Sequence, residues 1–424
     1  MTQGTAAAFD VTPTAYVPQD ELHLWMLVKP SAPAYVGSLR LHELVPDCAS
    51  FRYDPSWWQF PLSEDLPLVP GQRFSANERG SAPGAIDDAR PDRWGERIIR
   101  HIERPARLSV LEVLLFAGDD RFGALGVSVS SEHYQPRRVG PYPMLNDLAR
   151  LNHAVEDVQT QTPLSPDMRR LVQPGISLGG ARPKALLQTD QGVQVVKFSE
   201  LDDVVDTPLV EHATMTLAAR AGIDVAKTAV LPLPLRHGRQ RHALTIERFD
   251  RFGEFRLHCL SAHTLLRAAR LPLSYGALST VLLRLAHPDR QQAMREELFK
   301  RMVFNILMDN TDDHERNHSV RLALDGYYAL TPAYDVVPSL QNLGYQAMVV
   351  GERGSESSLD NALTQLSEYA ISKDRAAILV RQVAQVVDGW AAHFASVGVS
   401  DADRNMVAAS VDRAALLDQR RAWL

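Results

Sequence analysis

The chain has 424 residues, 45% of them hydrophobic and 23% charged, and a net charge of -6. That length allows two or three domains with a sizeable core, and the acidic balance excludes a generally basic nucleic-acid binder or a polybasic membrane protein. The two cysteines, Cys48 and Cys259, stand far apart and outside any metal-ligand spacing, so free thiols in a reducing compartment are expected. With no basic leader and no run near the roughly 18 apolar residues of a membrane helix, a cytoplasmic protein without membrane contact is expected.

The part up to about residue 140 is turn-rich. Short strands are expected at 25–28, 37–41 and 50–53, and helices from 91–99 and 108–116, which makes a small α+β unit. A Pro/Gly-rich connector at 136–143 leads to a helix over about 144–160. From Pro174 a Gly/Ser loop (175–180) runs into a hairpin of two strands, 185–188 and 193–198, turning at 189–192. A helix over about 209–221 ends at Gly222, and strands follow near 228–231 and 243–246. After Leu260 helices dominate. Residues 296–308 read as a buried helix, two short strands at 319–322 and 327–330 flank Asp325-Gly326, and 373–424 reads as two or three helices. No internal repeat or low-complexity tract is present.

Phosphoryl transfer needs phosphate-binding donors, a cation, metal-holding carboxylates and a group that orients the acceptor hydroxyl. Each has a candidate here. Asp312 and Asn317 stand five positions apart directly after the apolar helix, the spacing of a kinase catalytic Asp and its metal-binding Asn. His314 makes the pattern Asp-x-His-x-x-Asn. Asp335 lies about twenty residues further on, beyond the two short strands, where a second metal-binding carboxylate belongs. Lys197 closes an apolar strand and precedes a helix carrying Glu211, as in the kinase Lys–Glu pair. Ser177-Leu178-Gly179-Gly180-Ala181-Arg182-Pro183-Lys184 is a candidate phosphate loop, and Glu247-Arg248-Phe249-Asp250-Arg251 a candidate hinge for adenine. Singly, each has a plainer reading: a helix cap, a surface lysine, a Gly-Gly turn, a solvated strand exit. It is their order along the chain that points to a kinase.

These segments, with Phe51-Arg52-Tyr53, Phe60-Pro61-Leu62-Ser63 and Pro91-Asp92-Arg93-Trp94-Gly95 before them, resemble the HipA family of bacterial toxin-type serine/threonine protein kinases over nearly the whole chain. The resemblance implies an α+β, two-lobed protein-kinase-like fold. A HipA-like N-terminal subdomain would occupy 1–140 and the ATP-binding core of a β-rich N-lobe 141–250. A C-terminal all-helical lobe, broken only by the two short strands, would take 251–424. It implies ATP and Mg2+ as cofactors, with Asp312 as catalytic base and Asn317 and Asp335 as magnesium ligands. Lys197, Ser177, Gly179, Gly180, Arg182, Lys184 and His314 would surround ATP, and Glu247 and Phe249 would offer hinge backbone to adenine. Ser177 sits where the family carries an autophosphorylated serine. Implied partners are a protein substrate and a HipB-like DNA-binding antitoxin, so that DNA is met only indirectly. The chain departs from the pattern at Pro183, which removes a backbone donor from the loop, and at Asp313, which stands in place of a commoner glycine and leaves two adjacent carboxylates to choose between. A small-molecule or lipid kinase and a catalytically weak, kinase-like regulatory protein are the alternatives.

Overall fold

The computed structural model describes residues 16–42, 45, 47–137, 141–175, 180–234 and 240–424. The N-terminal unit is built on a five-stranded antiparallel sheet. Its strands are β1 (Glu21–Met26), β2 (Ala34–Leu41), β3 (Ala49–Tyr53), β4 (Arg73–Ser75) and β5 (Leu125–Ser128), in the order β4-β3-β2-β1-β5. In β3 the inward Phe51 and Tyr53 flank an exposed Arg52, the alternation of a half-buried strand. Gly37 lets β2 and β3 approach, because a Cβ there would lie 2.2 Å from the Arg52 carbonyl. Helices α1 (Arg93–Ile102) and α2 (Val110–Phe116) intervene before β5. Asp92 caps α1 by accepting from the Gly95 N–H at 2.9 Å, and Ser109 and Glu112 form a capping box at the start of α2.

The middle unit places α3 (Leu148–Gln159), the short α4 (Pro166–Arg169) and α5 (Thr207–Arg220) around a four-stranded antiparallel sheet. It comprises β6 (Lys184–Thr189), β7 (Gly192–Lys197), β8 (Thr228–Pro232) and β9 (His242–Ile246), ordered β6-β7-β9-β8. Both faces are covered. Leu186 and Val195 join the main core, while Ala185, Leu187 and Val196 pack with Trp94 and Ile98 of α1 and with Leu151 and Val155 of α3. Coverage on both sides explains why β7 is mostly apolar and buried on both faces, with Val195 and Val196 side by side, rather than alternating. It also means that α1, from the first unit, completes the core of the second across the expected boundary at 140.

The rest of the chain begins with a hairpin of β10 (Arg251–Phe252) and β11 (Phe255–Arg256). Strands β12 (Cys259–Ser261), β13 (Ser319–Leu322) and β14 (Tyr328–Leu330) then form a three-stranded sheet in chain order. The expectation of an all-helical C-terminal lobe is corrected by this sheet. Its third strand, β12, is too short to stand out, and its partner β13 is far away in sequence. The helices are α6 (Ala262–Ala268), α7 (Tyr275–Leu285), α8 (Gln291–Leu307), α9 (Leu359–Ala362), α10 (Lys373–Asp388), α11 (Trp390–Val397), α12 (Asp401–Val411) and α13 (Ala414–Arg421). The tail therefore holds four helices rather than two or three. On α8, Phe299, Met302, Val303 and Ile306 are fully buried at i, i+3, i+4 and i+7, one continuous helical stripe. That stripe anchors the loop that follows.

The charged run after β9 is not a solvated exit. Asp250 is fully buried and accepts from Arg248 Nε at 2.9 Å and Nη2 at 2.7 Å, from Arg251 Nη1 at 2.8 Å and from the Gly123 N–H at 2.9 Å. The same arginines donate to the carbonyls of Asp120, Arg121 and Gly123 in the segment leading into β5. Burial opposes ionisation of Asp250, but the two guanidiniums hold its carboxyl well below the usual carboxylate range. A buried ion network thus clamps the middle sheet to the N-terminal unit. Asp250→Ala leaves two buried guanidiniums uncompensated and is expected to cost about 3–5 kcal/mol, read as a lower urea midpoint. Asp190→Ala in the exposed turn between β6 and β7 should shift stability by less than about 0.5 kcal/mol.

Candidate active site

Helix α8 ends at Leu307 and the chain turns sharply through Asp309, at φ 53°. Asn305, a polar residue in the buried helix, holds the turn. Its carbonyl accepts from the Asn310 N–H at 2.9 Å and its side-chain oxygen from Asn310 Nδ2 at 3.0 Å, while its own Nδ2 donates to Asp313 at 2.8 Å. The adjacent carboxylates Asp312 and Asp313 then part company. Asp313 is buried, and one of its oxygens accepts from the Tyr275 hydroxyl, Asn305 Nδ2 and His318 Nε2 (2.8 Å). Burial opposes its charge, yet His318 and Tyr275 hold its pKa below the usual range. Asp313 is therefore spent on holding the loop. Asp312 is exposed, and it is the carboxylate left available to a ligand. Protein packed around its carboxyl pushes its pKa up, Asp335 and Asp313 add to that, and His314 opposes it.

The remainder of the loop is tied down from several sides. Asn317 Nδ2 donates to the Asp312 carbonyl at 3.4 Å, while its Oδ1 is buried and has no protein partner. His314 Nδ1 accepts from the Arg316 N–H at 3.3 Å. The Tyr334 hydroxyl donates to the Arg316 carbonyl at 2.9 Å, Glu315 pairs with His263 at 2.8 Å, and Arg316 reaches Asp87 at 3.0 Å and Asp88 at 3.5 Å in the N-terminal unit.

Lys197, the last residue of β7, is buried and brings the distant parts together. Its Nζ lies 2.6 Å from Glu211 Oε1 on α5 and 2.5 Å from Asp335 Oδ1, which is 138 positions away in sequence. Burial alone would lower the lysine pKa, but Asp335 and Glu211 raise it, so the ammonium stays charged. Asp335 sits in the left-handed region at φ 59°, which aspartate tolerates better than most residues. Burial acts against its charge and Lys197 overcomes this, so its pKa is lowered.

The phosphate-loop residues are only partly described, because Ser177 and Gly179 lie outside the described residues. Gly180, at φ 51°, approaches Asp335, and a Cβ there would lie 3.1 Å from Asp335 Oδ2. Lys184 is buried, paired with Asp92 and donating to the Gly180 carbonyl at 2.6 Å. Arg182 Nη1 meets both oxygens of Asp203 at 2.9 Å. Both cations already carry carboxylate partners. Of the hinge residues, Glu247 is half-buried and its N–H donates to the Lys227 carbonyl at 2.9 Å. The Phe249 ring is buried between Phe122 and Tyr334, and its carbonyl accepts from Arg321 at 3.0 Å.

A magnesium ion favours hard oxygens and usually takes one or two carboxylates plus phosphate oxygens and water. Asp335 Oδ2, beside the space that Gly180 leaves open, and the unpartnered Asn317 Oδ1 suit that role. Among the described residues no group of three or more His, Cys, Asp or Glu could hold a metal by itself.

Two family models match the chain: the HipA N-terminal domain over residues 33–128 and the HipA-like C-terminal domain over 176–390. The chain belongs to the HipA family. The likeness in fold to a solved HipA covers most of the chain. The HipA of Shewanella oneidensis MR-1, solved with HipB and operator DNA as a toxin–antitoxin complex, superposes with a TM-score of 0.65 at 18% identity, over 94% of this chain and 97% of that one. A putative kinase from Haemophilus influenzae is 25% identical over 226 residues, which span 46% of this HipA-family chain and 64% of the relative.

The two neighbouring carboxylates should separate cleanly on mutation. Asp313→Ala strands three buried donors, at about 1–3 kcal/mol each, and should lower the thermal midpoint sharply, whereas Asp312→Ala should leave it nearly unchanged. Glu315 gives a pH signature. Burial resists its ionisation, but His263 and the local backbone bring its pKa from 4.5 to about 2. Its stabilising contribution is complete above pH 4.5 and is lost as pH falls toward about 2. The stability gap between wild type and Glu315→Gln should shrink across that window.

Proposed function

We propose that this chain is an ATP- and Mg2+-dependent serine/threonine protein kinase acting as the toxin of a toxin–antitoxin pair. The observation that carries the reading is Lys197 held between Glu211 and Asp335 at 2.6 and 2.5 Å. A strand lysine paired to a helix glutamate, with a metal-binding aspartate in reach, is the arrangement that kinases require for transfer. Asp335 and Asn317 would hold magnesium, which when bound neutralises charge on the transferring phosphate. Lys197 would meet the α- and β-phosphates, and Gly180, Arg182, Lys184 and His314 would line the phosphate side. Glu247 and Phe249 would face adenine with backbone groups. Asp312 accepts the proton of the substrate hydroxyl, and its raised pKa suits a base that is exposed but crowded by other carboxylates.

Ser177 is the proposed site of autophosphorylation, which would place roughly two negative charges in the phosphate loop and oppose nucleotide binding. A HipB-like antitoxin is the proposed partner, on the strength of family membership and of the HipA–HipB–operator complex found for the structural relative.

Incubation with γ-labelled ATP and Mg2+ tests the reading. Label should pass to a protein substrate and to Ser177. Asp312→Ala should reduce transfer by about 10²–10⁴-fold, and Ser177→Ala should abolish self-labelling alone. Label found only on a metabolite would replace the protein-kinase reading with a small-molecule kinase, and no transfer at all would overturn it.

A further inference from the structure

Beneath the catalytic loop, between α5, α8 and the segment after β14, lies a small internal cavity lined by Ala218, Arg301, Phe304, Asn317, His318 and Tyr334, among others. It has room for about one water molecule. Three polar side chains on its wall are incompletely satisfied: Asn317, whose Oδ1 is described above, and Arg301 and His318. Arg301 gives Nε to Glu297 at 3.0 Å and Nη2 to the carbonyls of Asp224 and Thr331 at 3.2 and 2.9 Å, but its Nη1 is buried without a partner. His318 engages Asp313 through Nε2 at 2.8 Å, and its Nδ1 is likewise buried and unpartnered. Arg301 and His318 are 3% and 2% exposed, so bulk solvent does not supply the missing bonds.

We infer that a single ordered water bridges Arg301 Nη1 and His318 Nδ1. A water suits both ends. His318 Nε2 is taken up by Asp313, which leaves Nδ1 as the ring nitrogen facing the cavity, and a water can bond it whichever way the proton lies. Arg301 can only donate. One water accepts from the arginine and bonds the histidine Nδ1, removing two buried unsatisfied groups at once. A metal ion at this point would meet the guanidinium charge of Arg301. The bridge joins the buried helix α8 to His318, the residue directly after Asn317. It extends the Asp313 network into a continuous support under the loop, and it makes Arg301 and His318 positioning residues.

A crystal structure at a resolution that shows ordered water tests the site without reference to the kinase reading. A density peak within hydrogen-bond distance of both nitrogens is expected. An empty cavity, or direct contact between Arg301 and His318, would overturn the inference. Ala218→Val grows two methyl groups into the cavity and should remove the peak. Where the kinase reading holds, that variant should lower kcat several-fold with KM for ATP unchanged, because the loop loses its position while the nucleotide contacts remain. An unchanged kcat in a folded Ala218→Val protein lacking the peak would refute the positioning role. Should that variant fail to fold, the wild-type density decides.

Discussion

The ion triad of Lys197, Glu211 and Asp335 is the constraint on which the rest depends. A buried ammonium is costly unless it is paired, and here two carboxylates from separate parts of the chain share it. The lysine ends a strand covered on both faces. The glutamate is on the helix packed over the neighbouring strands β8 and β9 of the same sheet. The aspartate follows the C-terminal sheet. Each must be placed independently before the three charges can meet, so the triad reports that the two halves of the molecule have docked. The backbone at Asp335 stays in the left-handed region, a conformation that persists only when its surroundings over-determine it.

The same economy governs the loop between α8 and β13. Of its acids only Asp312 is left exposed, and nearly every neighbour is committed to support. Asp313 collects three donors, Tyr334 and His263 grip the Arg316 carbonyl and the Glu315 carboxylate, and Arg316 reaches across to Asp87 and Asp88. The N-terminal unit thus contributes twice to the geometry of the site, once through these acids and once through the Asp250 clamp. Neither contribution lies in the strands that first attract attention in that unit.

What could be read from the sequence followed from how local its cause was. The hairpin of β6 and β7, the helix ending at Gly222 and the Asp312-to-Asn317 spacing depend on neighbours a few residues away, and all were legible. Glu211 was visible because kinase order asks for an acid on that helix. The short strands β4, β5 and β12 escaped, since three or four residues carry no periodicity of their own and pairing alone defines them. The Arg248–Asp250–Arg251 run was legible as charge but not as a buried clamp. Its partners are mostly backbone carbonyls near residue 120, and carbonyls leave no mark in a sequence. Only the five-position offset to Asn317 favoured Asp312 over Asp313 in the sequence. The donors that separate them come from Tyr275, Asn305 and His318, which only the fold brings to one side.

The charge balance around Lys197 bears on what the site will accept. Its cations are Lys197, Arg182 and Lys184, and each already faces at least one acid: Glu211 and Asp335, Asp203, and Asp92 respectively. With Asp312 added, carboxylates outnumber cations, even if burial keeps Glu211 protonated. A glycine-rich loop with two basic residues suggests a surplus of positive charge for phosphates, and the three-dimensional arrangement cancels that surplus. A free nucleotide triphosphate would meet repulsion at Asp335 and Asp312. Asp335 and Asn317 would hold a divalent cation here, whose charge would offset that repulsion and leave Lys197 to serve the nucleotide. The acids that make the site look unsuited to ATP are therefore the ones that would make its binding conditional on the metal.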